Sequence, residues 1–421
     1  MADKKITIGE SIIAKIAQKK GTPFNIYDGD AIVGFAKRFY KAFSWAPEFI
    51  NYFAVKALPN INILRLLKGV GMGGDCSSLP ELRLCETAGI LGSNIMFSSN
   101  DTPDEEFVKA CELDAIVNFD DITHIEAARK ACPSFPKKVS FRYNPGKDRT
   151  GNALIGNPVE AKYGVTKEQI CDCYRIAKEN GAEHFHIHTM VASNCLKEDE
   201  IVETARMLFT LVGKIRRETG IVIEGVDLGG GIGIPYKPED KEMDIESIGS
   251  RIHALYDEMI VASGLAPLKI AFECGRCITG PFGYLVSKVR HVTHKYKDYV
   301  GLDACMADLM RPGLYGAYHH ITVLGKAGLP LDHVYDVTGS LCENNDKFAI
   351  DRPLPVVAKG DILVIHDTGA HGTAMGFNYN GKLRHAEYLV LDGHVRCIRR
   401  DETYDDYVAT QLFEPQVVDL K

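Results

Sequence analysis

The sequence predicts an α/β fold, a (β/α)8 barrel of the TIM type followed by a C-terminal antiparallel β-domain, and two observations carry that expectation. Between about Asn51 and Glu273, short apolar runs alternate with amphipathic stretches eight times, the pattern of strands and covering helices in a closed parallel barrel. After Glu273 the runs are short and β-rich and are separated by Gly, Pro and Asp turns. An open doubly wound sheet shares the alternation; the eightfold repeat favours the barrel.

The strand-like runs, in order, are Tyr52–Lys56, Gly73–Cys76, Asn94–Ser98, Ala115–Asn118, Val139–Tyr143, His184–Thr189, Ile223–Leu228 and Lys269–Glu273. Helix-like segments lie between them at Asn62–Gly69, Pro80–Ala88, Glu105–Leu113, Lys167–Asn180, Asp199–Thr219 and Ile245–Ala262. Within Asp199–Thr219 the apolar residues Ile201, Val202, Ala205, Leu208, Phe209 and Val212 recur at helical spacing. Further strand-like runs follow at Tyr284–His291, His333–Thr338, Asp361–Ile365, Glu387–Leu391 and Val395–Arg399, and Thr22–Tyr27 precedes the barrel. The expected division is a barrel over residues 30–280 and a β-rich domain over 281–421, completed by residues 1–29.

Composition narrows the function classes. The 421 residues are 45% hydrophobic and 25% charged, the proportions of a globular chain rather than a disordered, collagenous or coiled-coil one. A formal net charge of −7 argues against nucleic acid or anionic lipid as the main partner. The N-terminus has no apolar signal segment, and no apolar run approaches the roughly 20 residues of a membrane span. Twelve Cys scattered over this length do not form a disulfide framework; they read as reduced thiols in the cytoplasm.

Four stretches carry residues able to do chemistry. Lys56 closes the first strand-like run, at the end where barrels keep their active sites. Burial there would depress its pKa and make it a nucleophile able to form a Schiff base; alternatively its ammonium reaches solvent past the strand end. Asp227-Leu-Gly229-Gly230-Gly231-Ile-Gly233 follows the seventh run, either as backbone N–H groups converging on an anion or as a tight turn. Glu273-Cys274-Gly275-Arg276 closes the eighth; the carboxylate could hold a protonated pyridine nitrogen and the arginine could grip anionic oxygens. Cys274 and Cys277 also spell a C-x-x-C, a weak redox or metal signal without a second pair. His184, His186 and His188 share one strand face, and packing or ring stacking explains them better than zinc because no well-placed carboxylate is evident. No metal is expected.

Taken together these motifs resemble the fold type III pyridoxal-phosphate (PLP) decarboxylases, the alanine racemase-like barrel group. Phe53-Ala-Val-Lys56-Ala is similar to the family's Schiff-base motif, Asp75-Cys-Ser-Ser-Leu-Pro-Glu-Leu82 to its Asp-Val-x-Ser-x-x-Glu-Leu segment, and Glu273-Cys-Gly-Arg276 to its Glu-Pro-Gly-Arg. Arg311-Pro-Gly-Leu-Tyr315, Cys342-Glu343-Asn-Asn-Asp346, Asp351-Arg-Pro-Leu-Pro355 and Asn378-Tyr379-Asn380 resemble its later motifs in the same order. The resemblance implies PLP held by Lys56, with Asp75, His188, Ser193, Gly230, Gly231, Glu273, Cys274, Gly275, Arg276 and Tyr379 around it. It also implies Cys342 as proton donor, and Arg276, Arg311, Tyr315, Glu343 and Tyr379 as substrate contacts. An ungapped match puts Met190 where the family has a His stacked on the cofactor, with His188 two residues earlier on the same face. The motifs look most like those of diaminopimelate decarboxylases, which implies decarboxylation of meso-diaminopimelate to L-lysine and CO2 in a homodimer with shared sites. Another basic amino-acid or polyamine-pathway decarboxylase, a racemase or a silent homologue are the alternatives.

Overall fold

A computed structural model describes residues 4–149, 156–418 and 420. The chain divides into two compact units, one made of the N-terminal segment through Asp28, Tyr236–Pro238 and Phe282 onward, the other of Gly29–Pro235 and Glu239–Pro281.

In the first unit, helix α1 (Glu10–Lys20) precedes strand β1 (Phe24–Asp28). The second unit begins with helix α2 (Gly29–Ala42) and closes a barrel from eight parallel strands: β2 (Phe49–Ala54), β3 (Gly73–Cys76), β4 (Ile95–Ser98), β5 (Ile116–Phe119), β6 (Lys138–Tyr143), β7 (His184–Thr189), β8 (Gly225–Asp227) and β9 (Lys269–Phe272). Each strand pairs with the next, and β9 returns to β2 through Phe49↔Ile270. The strands are buried almost throughout, because a parallel sheet wrapped in helices has no wet face. The helices are α3 (Ile61–Lys68), α4 (Leu79–Ala88), α5 (Asp104–Glu112), α6 (Thr123–Ala131), α7 (Ile170–Glu179), α8 (Glu198–Thr219) and α9 (Ile245–Tyr256).

Helix α8 shows why the sequence folds this way. Its apolar stripe, Ile201, Val202, Ala205, Leu208, Phe209 and Val212, is the buried face. Glu198, Asp199 and Glu200 open it and Arg216 and Arg217 close it, each sign complementing the helix dipole, and Gly220 ends it in the left-handed region at φ 72°. Aromatic rings fill the layer between helix and barrel near α2, where Phe43 and Phe49 stack at 4.8 Å and Phe39 meets Phe272 edge-on at 5.6 Å.

The structure departs from the sequence expectation in several places. The first barrel strand ends at Ala54, where its pairing with β3 stops at Asp75, so Lys56 stands in a 3-10 turn, Val55–Ala57, rather than on the strand. Helices α1, α2 and α6 were not expected; α2 starts on Gly29 and carries Gly34, yet buries Ile32, Ala36 and Phe39 on one face. The second domain is mostly antiparallel, as expected, and the departure is two parallel pairs that make its sheet mixed.

After a short helix, α10 (Arg276–Thr279), that sheet gathers β10 (Gly283–His294), β11 (Asp298–Leu302), β12 (Ile321–Val323), β13 (His333–Thr338), β14 (Lys347–Leu354), β15 (Ile362–Ile365), β16 (Glu387–Leu391) and β17 (His394–Arg399) with β1. Two of its pairs, β1 with β16 and β11 with β13, are parallel. Chain separation explains β1–β16: strands far apart in sequence need no hairpin and can run the same way. Strands β11, β12 and β14 lie outside the expected runs; β14 is interrupted by Asp351, Arg352 and Pro353, which an edge strand tolerates. Helix α1 buries Ile13, Ile16 and Ala17 against Phe24, Ile26 and Tyr284 of this sheet.

Helices α2 and α9 pack closely, since a Cβ on Gly249 would clash with the backbone carbonyl oxygen of Ala42. Gly249→Ala should therefore lower stability by about 1–3 kcal/mol, outweighing the ~1 kcal/mol helix preference for Ala. Urea unfolding checks this; an unchanged or raised midpoint refutes it.

Candidate active site

The barrel's C-terminal rim concentrates charge. From the turn after β2, the Lys56 ammonium reaches 3.3 Å from Asp75 Oδ2 on β3. The lysine side chain is half exposed and that of Asp75 is buried. Asp75 raises the lysine's pKa against the opposing effect of burial. The expectation of a depressed lysine pKa is thus corrected: a carboxylate at contact distance outweighs desolvation. Asp75 is pushed up to about 7, first by burial and then by the neighbouring Glu273, with Lys56 opposing both.

Glu273, just beyond β9, lies at the centre. Its Oε2 is 2.9 Å from His188 Nε2 on β7, and its Oε1 accepts from Ser98 Oγ on β4 at 3.3 Å. Burial alone would raise its pKa, but His188, Lys56 and Arg142 outweigh that and bring it down to about 2. Asn118 on β5 donates to Ser98 Oγ at 2.8 Å and lies 3.0 Å from His188 Nδ1, so the imidazole is held at both nitrogens. His188 is fully buried.

Two further residues complete the rim. Arg142 on β6 pairs with Asp120 at 3.1 Å and lies 4.9 Å above the Tyr163 ring. Asp227 ends β8, accepts the Gly229 N–H at 2.8 Å, and is pushed well above the usual carboxylate range by burial and by Glu273.

The glycine run after β8 is required by close approach. Gly229 and Gly231 have φ of +70° and +98°, and a Cβ on Gly230 would come within 2.9 Å of the Glu273 carbonyl. The loop after β7 is tied to this run, with Cys195 N donating to Gly231 O at 2.8 Å; Ser193 sits in that loop, and Met190 Sδ lies 3.3 Å from Gly230 N. The turn at Cys274–Arg276 is fixed by Asn51, whose side chain bonds both Cys274 N (2.9 Å) and Cys274 O (3.0 Å). Gly275 is needed because a Cβ there would sit 2.7 Å from the Cβ of Ala57, beside Lys56.

The structure therefore brings Lys56, Asp75, His188, Gly230, Gly231 and Glu273 into one rim cluster. The three histidines do not converge: His184 pairs with Glu224 at 3.0 Å, and burial pushes His186 down to about 3. His188 instead has two carboxylates beside it, Asp227 and Glu273, with ligand atoms within 4.8 Å of one another, where the sequence showed none. Asn118, Ser98, Asp120 and Arg142 were missed. The signal for them was the one that exposed Lys56, a polar or charged residue closing an apolar run.

In the β-rich unit, Arg311 and Tyr315 open and close a short helix, α11 (Arg311–Tyr315). Arg311 is buried, 5.0 Å over the Tyr236 ring, and Nε donates to His319 Nε2 at 3.3 Å; Tyr315 is exposed. Cys342 is exposed and its backbone N–H donates to Asn380 Oδ1 at 2.8 Å, beside exposed Tyr379. Glu343 accepts the Asn345 N–H at 3.1 Å, and Asp346 fixes this loop by accepting from Leu341 N and Met306 N.

The rim suits a phosphorylated pyridine aldehyde such as the one the motifs imply. It offers an amine, an anionic carboxylate, N–H-rich glycine turns, and three buried oxygens without a hydrogen-bond partner, Asp75 Oδ1, Asn118 Oδ1 and Asp227 Oδ2.

Residues 30–280 match the family model described as "Pyridoxal-dependent decarboxylase, pyridoxal binding domain". The chain is 42% identical to Protein TabA of Pseudomonas amygdali pv. tabaci, over 94% of this chain and 92% of that one. It is 33% identical to the diaminopimelate decarboxylase of Methanothermobacter thermautotrophicus, over 96% and 95%. Among solved structures, the diaminopimelate decarboxylase of M. jannaschii in complex with L-lysine superposes with a TM-score of 0.88 at 30% identity, covering 96% of this chain and 95% of that one.

The rim charges predict a pH signature in the cofactor-free protein. Asp75 at about 7, against 3.8 for an unperturbed Asp, binds its proton more tightly when folded. Its stabilising contribution is complete below the unfolded value and is lost as pH rises through the folded one. Between about pH 4 and about pH 8, Asp75→Asn should gain about 2–4 kcal/mol on wild type. Parallel urea-stability profiles for the two proteins would refute the assignment.

Proposed function

We propose a function from one premise, that the chain belongs to the pyridoxal-dependent decarboxylases: it converts meso-diaminopimelate to L-lysine and CO2, closing a lysine-forming route in the cytoplasm. The observation that carries this reading is Glu273, buried beside Lys56 yet held anionic by His188. Pyridoxal phosphate supplies the electron sink that a departing carboxylate needs.

The remaining work falls to the chain's own residues. Lys56 holds the cofactor through its amine, and Asp75 keeps that amine charged and positioned until it is needed. Glu273 keeps a proton on the ring nitrogen, which its low pKa allows because an anion stabilises a cation alongside it. Gly230, Gly231, Cys274, Gly275 and Arg276 take the phosphate with backbone N–H groups and Ser193 with its hydroxyl, which leaves the Arg276 guanidinium for the substrate. His188, gripped by Asn118 and Glu273, covers the ring in place of Met190.

Cys342 returns a proton to the α-carbon from its thiol, and Tyr379 lines the same end. Arg276, Arg311 and Tyr315 take the far carboxylate of the substrate, while Glu343 takes its far ammonium. Diaminopimelate carries both charges at that end, so cations and an anion together select it; ornithine or arginine needs the anion alone. The relative solved with L-lysine, the product of this reaction, supports the same choice.

In this reading the Cys342–Glu343 segment completes the site of a second subunit, so the enzyme is a two-fold homodimer. Three assays test the proposal. Lys56→Ala should lose the visible absorbance of bound cofactor and at least about 10³-fold of activity. Wild type should turn over meso-diaminopimelate faster than ornithine, arginine or lysine, and a preference for any of the last three refutes the substrate. Mixing Lys56→Ala with Cys342→Ala protein should restore part of the activity; no recovery despite subunit exchange refutes shared sites.

A further inference from the structure

Cys111 lies in the last turn of α5 and Cys132 follows the last residue of α6, the neighbouring helix on the barrel's outer layer. They are 21 residues apart in sequence, yet their sulfur atoms stand 3.0 Å apart. That is inside ordinary sulfur–sulfur contact and about 1 Å from a disulfide bond length. Both are free thiols; Cys132 is buried and Cys111 is partly exposed. No step of the proposed reaction uses either.

We propose that Cys111 and Cys132 form a reversible disulfide, a modification site on the outside of the barrel that accepts a small disulfide oxidant such as oxidised glutathione. The site has a natural division of labour. Cys111 is the sulfur an oxidant can reach, and Cys132 is the one placed to resolve the mixed disulfide. The two sulfurs lie within hydrogen-bond distance and either can be the donor, so a thiolate formed on one is stabilised by the thiol of the other.

The exchange balances without any other reactant. Cys111 sulfur attacks one sulfur of oxidised glutathione, the glutathione S–S bond breaks, and one glutathione leaves. Cys132 sulfur then attacks Cys111, and the second glutathione leaves. Overall the two cysteine S–H bonds and the oxidant's S–S bond break. One protein S–S bond and two glutathione S–H bonds form, and the two protons pass from cysteine to glutathione.

Position predicts the consequence. Cys111 and Cys132 both sit at the C-terminal ends of their helices. In a β/α barrel those ends lie at the N-terminal ends of the strands, opposite the rim that carries Lys56 and Glu273. The bond therefore ties two barrel helices together and leaves the chemistry untouched.

The intact holoenzyme, incubated with oxidised glutathione and digested without reductant, should yield one cross-linked peptide pair containing Cys111 and Cys132, at the mass of two lost hydrogens, reversed by dithiothreitol. The melting temperature should rise by roughly 3–8 °C. Cys132→Ser should instead accumulate a glutathione adduct on Cys111 and show no rise. Quantitative alkylation of both cysteines after treatment overturns the proposal. So does a link from either one to a different cysteine, or an unresolved adduct on Cys111 in the wild-type protein.

Discussion

Charge balance at the barrel rim is the constraint on which the rest of the site depends. Asp75, Asp227 and Glu273 are all buried, and each disfavours ionisation of the others. Only one of them can be held strongly anionic, and geometry selects Glu273, which touches His188 and is also stabilised by Lys56 and Arg142. The cost falls on the other two, whose protons are held more tightly. The rim thus keeps one strongly anionic carboxylate among buried neighbours that hold their protons.

The backbone serves that arrangement. Gly275 lets the chain leaving β9 press against Ala54 and Ala57, so the turn bearing Lys56 and the turn bearing Arg276 are locked to each other. Gly229, Gly230 and Gly231 let the next loop lie against the Glu273 carbonyl and the segment after β7. Each glycine is needed because another backbone occupies the space a side chain would fill. Main-chain packing, helped by neutral side chains such as Asn51 and Asn118, therefore holds the charged groups of the site in place.

Much of this was legible in the sequence, for reasons that can be named. The eight apolar runs survive as eight strands because a parallel barrel buries both faces, and burial of both faces removes polar alternation. The α8 stripe was readable because an amphipathic helix writes its 3.6-residue period directly into the order of residues. Helix α2 was not, since its glycines mask a face that only packing reveals. Strand β14 was not, because a sheet edge relaxes the rules that identify a strand. Lys56 and Glu273 stood out as lone charges closing apolar runs. Arg142, Asn118 and Ser98 obeyed the same rule but lacked a motif to draw attention to them.

The sequence by itself determined the class of fold, the order of its elements and the residues able to do chemistry, because periodicity and residue type are local properties. Tertiary structure decided what those residues are. It placed Lys56 on a turn beyond the strand, where Asp75 raises its pKa. It separated three histidines that share one strand face, giving one to the central carboxylate and another to the surface. It made the second sheet mixed, by pairing strands from opposite ends of the chain. Protonation and partnership depend on distances between residues tens to hundreds of positions apart, and closure of the barrel is what fixes those distances.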